Sequence, residues 1–142
     1  MVRSLKPYRR IAHTADLGMV VRGEDLTDLF TKAAWSFFDL MVETQHIELV
    51  KERVIFIEAP DREALLVAWL GELLYLFEVH RLVFGQFSIR SLTPTSLQAS
   101  VWGEFYDLEK HRLKTAIKAV TYHQIHIWKK KGGWRARIIF DL

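Results

Sequence analysis

The 142-residue sequence contains no cysteine, which excludes disulfides, thiolate zinc sites and cysteine nucleophiles and fits a reducing compartment. It also lacks a long apolar run. The most apolar stretch, residues 65–79, is broken by Gly71, Glu72 and Glu78, which makes it too short and too charged to span a bilayer. The first residues, MVRSLKPYRRIAHTAD, carry basic side chains but no apolar h-region. No secretory leader is expected there, and the expectation is a cytoplasmic protein without membrane contact. No glycine-rich phosphate loop, G-x-S-x-G elbow or H-E-x-x-H helix occurs, and no repeat or low-complexity segment stands out. Excess charge is scarce as well, with a formal net charge of +3. The only basic run, Lys129-Lys130-Lys131, reads as a solvated hairpin tip, because nucleic-acid binders usually gather basic residues on one face.

Hydrophobic residues, by contrast, make up 50% of the chain, with nine Phe, five Trp and four Tyr, enough for one core without staples. Residues 1–142 are expected to form a single domain. A first strand is expected over 17–22. Asp25 then suits a helix N-cap, with Asp28 adding negative charge to the first turn. Leu26, Leu29, Phe30, Ala33, Ala34, Phe37, Phe38 and Met41 follow at helical spacing, an apolar stripe that reads as core. Val54 and Phe56 alternate against Ile55 and Ile57 as a strand, which Pro60 ends. Asp61 caps a second helix reaching about Val79, with Leu66, Trp69, Leu70, Leu73, Leu74 and Phe77 buried. Leu65, Tyr75 and Leu76 widen that stripe, suggesting a helix covered on more than one side. Strands are expected over 83–91, 97–105, 125–129 and 134–141, with Gly132-Gly133 as the hairpin signal between the last two. The fold class expected is α+β, a single compact domain with two amphipathic helices packed on a largely antiparallel β-sheet.

The polar residues worth weighing fall where strands should end: His13-Thr14-Ala15-Asp16, the segment from Lys118 to His123, and Phe140-Asp141-Leu142. In the last strand Trp134, Ala136, Ile138 and Phe140 should face the core, so Asp141 projects from the other face, beside the free carboxylate of Leu142. If Asp16 approaches this end, three carboxylates share one small volume, which is costly unless a cation intervenes. Oxygen-only ligands suit a hard divalent ion. The bland alternative is that Asp16 caps a turn, Asp141 is an exposed terminal acid, and His13 and His123 are hydrogen-bonded or core histidines. Glu104, Asp107 and His111 form another polar group that reads as solvated.

At these residues the sequence closely resembles the archease family. The resemblance is carried by H-T-A-D-L-G (13–18), G-E-D-L-T-D-L-F, W-L-G-E-L-L-Y-L-F-E (69–78), G-E-F-Y-D (103–107), I-K-A-V-T-Y-H (117–123) and the closing I-I-F-D-L. These motifs run in order from about residue 8 to the end. The resemblance implies a cytosolic, non-enzymatic protein that partners the RtcB-type tRNA-splicing ligase in tRNA splicing and RNA repair. It would promote ligase guanylylation and multiple turnover, with RNA contacted only through the ligase. It also implies a metal site at Asp16, Asp141 and the terminal residue Leu142, with Ca²⁺ first and Mg²⁺ or Mn²⁺ as alternatives. His13 and His123 would be supporting residues near that ion, and Lys118 matches a lysine linked to ligase activation. Two other readings compete with this one: a small metal-dependent hydrolase using Asp16 and Asp141, which would lack a dedicated general base, and an RNA-binding or chaperone-like module drawing on exposed aromatics and the basic strip.

Overall fold

The computed structural model describes residues 6–12 and 16–142. Two capped helices organise it. α1, Leu26–Met41, begins at Asp25, whose side chain accepts the Asp28 N–H at 2.7 Å. Asp28 in turn accepts the Glu24 N–H at 2.8 Å, so two amides at this helix start are satisfied by two neighbouring acids. α2, Arg62–Glu78, begins in the same manner at Asp61, which accepts the Ala64 N–H. The stripes named by spacing are largely buried: Phe30, Phe37 and Phe38 from α1 and Trp69, Leu70 and Leu73 from α2 have no exposed surface, while Leu26 and Phe77 are half-buried. The Trp69 indole N–H donates to the Phe30 carbonyl at 2.9 Å, so the largest core side chain also ties one helix to the other. Tyr75 departs from the expected stripe. It is 48% exposed and lies edge-on to His80.

Among the described residues eight strands form two sheets rather than one, and every ladder is antiparallel. The smaller sheet has the order β3-β5-β4, from Lys51–Glu58, Ser96–Phe105 and Leu82–Leu92. The larger holds β1 (Tyr8–Ala12), β2 (Asp16–Gly23), β6 (Ala119–Val120), β7 (His126–Lys130) and β8 (Gly133–Asp141). β1 pairs with β2 and β2 with β8, while β6 and β7 share the far edge of β8. The α+β expectation holds, with helices packed against strands of both sheets around one core. β1 and β6 were not legible in the pattern: β1 carries two adjacent arginines and β6 has only two residues, so neither shows a clean alternation. The β7–β8 loop is two residues shorter than expected, because Lys130 pairs with Gly133 and leaves Lys131-Gly132 as the loop. Gly132, the second loop residue, has φ +84°, the positive φ that a type II turn asks of that position and that glycine takes at no steric cost. Among the described residues no helix is long and apolar enough to cross a membrane.

Candidate metal and partner site at the sheet end

β8 alternates as its sequence requires. Ala136, Ile138 and Phe140 are buried toward the helices, and Asp141 is exposed. Ile139, on the outer face, is buried too, at 1% exposure. It lies opposite Gly18, where an added Cβ would sit 2.8 Å from Ile139 Cδ1 and 3.3 Å from Ile11 Cβ. The small residue in H-T-A-D-L-G therefore lets two isoleucines close over the sheet. One row beyond this apolar plug, the register sets Asp16 of β2 directly opposite Asp141 of β8. On the other side of Asp141 stands Ala119 of β6. Side chains directly opposite in an antiparallel pair share a face, with Cβ atoms roughly 4.5–5.5 Å apart. The two acids thus meet at one end of the sheet, although 125 residues separate them in the chain.

The remaining sequence-selected residues gather unevenly around this pair. Lys118 is exposed, and its backbone N–H donates to the Asp141 carbonyl at 2.8 Å, which fixes the lysine segment to the acid's own main chain. Thr121 strengthens the attachment, since its N–H and its hydroxyl both reach the Ile139 carbonyl, at 3.1 and 2.8 Å. Leu142 follows Asp141 and is 48% exposed. His123 is exposed, held through its backbone N–H to the Thr121 hydroxyl at 3.2 Å; among the described residues its ring makes no hydrogen bond or ion pair. His13 lies outside the described residues. Among those described, no three His, Asp or Glu side chains form a metal-ligand group.

The group at Glu104, Asp107 and His111 is not solvated as expected. His111 is fully buried, and its Nδ1 accepts the Asp107 N–H at 2.9 Å. Its proton therefore sits on Nε2, which donates to Glu104 at 2.9 Å. Burial pushes the Glu104 carboxyl up, but the Glu48 N–H, the Lys110 ammonium and the His111 ring outweigh it and hold the group down to about 2. This cluster pins the 106–111 loop to β5. A carboxyl depressed in the folded state stabilises it above its ordinary value of 4.5, and that contribution fades as pH falls toward 2. Glu104→Gln should therefore melt below the parent at pH 7, and the gap should narrow between pH 5 and pH 2. Melting curves across that range check it.

A second buried acid escaped the sequence reading. Asp39 is 5% exposed on α1 and accepts from Lys6, Tyr8 and Thr44 at 2.7, 2.8 and 3.2 Å. Burial raises its carboxyl, yet the Lys6 and Tyr8 bonds and the charges of Lys114 and Lys6 prevail and hold it below the usual range. Its signal was a lone acid inside an otherwise apolar helix face. It binds the N-terminal strand to the core and points to no reaction.

Comparison with known proteins agrees with this architecture. The family described as "Archease protein family (MTH1598/TM1083)" matches residues 8–142. A "Protein archease" of Methanosarcina mazei is 39% identical over 141 residues, spanning 96% of this chain and 97% of its own. One of Pyrococcus furiosus is 35% identical, spanning 97% and 100%. The solution structure of Methanobacterium thermoautotrophicum protein 1598 superposes with a TM-score of 0.82 at 31% identity, covering 97% of this chain and all of that one. A crystal structure from Thermotoga maritima, described as "an archease, possible chaperone", shares the fold at TM-score 0.61 and 19% identity, with both chains fully covered. The chain belongs to the archease family.

Proposed function

We propose that this chain is an accessory protein of the RtcB-type RNA ligase in tRNA splicing and RNA repair. It promotes ligase guanylylation and repeated turnover without a reaction of its own, and it carries a divalent cation at the acidic end of its larger sheet. The observation that carries the reading is the register that sets Asp16 against Asp141, with the Lys118 segment bonded to the same end. What supports a hard cation there is the register that puts two acids opposite one another, beside Leu142, which the family resemblance names as the third ligand. Ca²⁺ accepts such irregular oxygen sets more readily than Mg²⁺, which demands near-octahedral geometry. A bound cation would offset the repulsion of the pair and draw the ends of β2 and β8 together. The ligase as partner is what the family resemblance implies, and the exposed Lys118 is the side chain best placed to be read by it.

The test is a ligation assay with limiting ligase, with and without this protein. Ligated product per ligase molecule should rise above one only when the protein is present, and the protein alone should neither join nor cleave RNA. Lys118→Ala should keep the parental melting temperature and lose at least about tenfold of the stimulation, because an exposed lysine contributes little to a core. Stimulation that persists in this variant removes Lys118 from the mechanism. Ligation unaffected by the parent protein removes the function.

A further inference from the structure

The outer face of the larger sheet is ordered by charge. Beyond the Asp16–Asp141 row and the Gly18–Ile139 row, the register places Arg137 opposite Val20, which itself faces Arg9, with His126 on the far side. The next row sets Arg22 directly opposite Arg135, which faces Trp128. Lys130 follows at the hairpin. Arg9, Arg22 and Arg135 line one cavity of about 120 Å³ together with Pro7, Tyr8 and Val20. Among the described residues none of these arginines, nor Arg137, has an ion-pair partner. Arg135 and Arg137 donate only to the Trp134 and Gln124 carbonyls. Like charges directly opposite in a sheet disfavour folding, so the Arg22–Arg135 pair is not accounted for by stability. Beside it the His126 and Trp128 rings stack 5.1 Å apart at 13°, and the histidine is exposed.

We propose that this face binds a single-stranded RNA directly, with a backbone phosphate seated among Arg9, Arg22 and Arg135, and with Arg137 and Lys130 following the strand. Guanidinium forks match phosphate oxygens in pairs. The hollow among these residues is small, about 120 Å³, room for one such group. The Trp128–His126 stack offers a ring surface for a base, the combination of basic groove and aromatic platform that single strands use. An acidic protein surface would complement the charge but would have no use for the ring platform. The site departs from the expectation that RNA is reached only through the ligase, and it does not depend on the ligase reading.

The test uses the isolated protein and a fluorescently labelled 20-nucleotide single-stranded RNA, followed by anisotropy between 50 and 200 mM KCl, roughly the range over which phosphate contacts show their salt dependence. Binding should weaken with salt, with a log–log slope of about −2 for three phosphate contacts at about 0.7 each. Arg22→Ala/Arg135→Ala should weaken binding at least tenfold and reduce the slope by about 0.7, the share of the one phosphate they hold together. Trp128→Ala should weaken it at least about fivefold with the slope unchanged, as loss of stacking requires. Arg22→Lys/Arg135→Lys, which keeps the charge should the alanine pair fail to fold, should retain the slope but lose affinity. Arg90→Ala/Arg112→Ala, removing two exposed arginines elsewhere, should bind as the parent does. The proposal is overturned if the parent does not bind at 50 mM KCl, or if the control pair loses as much as the Arg22/Arg135 pair. It is also overturned if the Arg22/Arg135 variant keeps its RNA affinity while losing affinity for the ligase, which would give this face to a protein partner. With no ligase in the RNA assay, this site and the ligase function fail separately.

Discussion

Gly103→Ala is expected to lower the melting temperature by roughly 10 °C, whereas Gly71→Ala should raise it. Both glycines belong to motifs that mark the family, and their surroundings set the opposite signs. Gly103 lies in the centre of the smaller sheet, between Lys51 of β3 and Phe84 of β4. An added Cβ there would collide with the Val83 carbonyl oxygen and approach Phe84 Cα to 2.7 Å. Both obstacles are backbone, so no side chain can swing aside. Beside this contact β4 breaks register between Phe84 and Gln86. Relief by sliding the strand would misplace the buried Val83 and Phe84, so a cost of about 3 kcal/mol, the upper part of the overpacking range, is expected. Gly71 sits inside α2, where an added methyl would meet nothing within 4 Å. Alanine there recovers up to about 1 kcal/mol of helix propensity, worth roughly 3 °C at this chain length. Two melting curves decide it. A Gly103→Ala protein that melts with the parent would mean that β4 yields more easily than its backbone contact allows.

The contrast shows what a sequence discloses and what it withholds. Both helices were legible to within a residue, because each opens on a single aspartate and then repeats apolar side chains with the period of the helix. Six of the eight strands were legible from alternation or from the Gly132 turn. β1 was not: its Arg9-Arg10 pair hides the alternation, and it is held by a hairpin with β2 and by the long-range Tyr8–Asp39 bond. The division into two sheets was illegible for the same reason, since alternation gives a strand its two faces but not its neighbours. Of the candidate site, the residue types at the strand ends could be named in advance, and family resemblance supplied their grouping. Their geometry depends on the β2–β8 register, which no local pattern encodes. The arginine face was the least legible. Its members are scattered from residue 9 to residue 137, while the one contiguous basic run, at 129–131, suggested no more than a solvated turn.

At the proposed cation site, Ca²⁺ or Mn²⁺ should raise the melting temperature, and Asp141→Asn should abolish that rise and leave the metal-free protein as stable as the parent or slightly more so. The two effects share one geometry. With Asp16 and Asp141 opposite in the ladder, like charges cost roughly 0.2–1 kcal/mol, which neutralising one of them removes. A cation reverses the balance by supplying opposite charge to both, and at a hundredfold excess over its Kd it should stabilise the fold by about 2.7 kcal/mol. That corresponds to roughly 10 °C in melting temperature for a domain of this size. Asp16→Asn should lose the same shift. Stimulation of the ligase should fall at least about tenfold in each variant, the smaller of the losses common when groups around a metal are removed. Thermal melts with and without metal, run beside the ligation assay, separate the outcomes. Variants that keep the metal shift but lose stimulation would make the acids a partner contact and not a cation site. A parent protein whose melting temperature ignores both ions leaves the pair without a metal to hold.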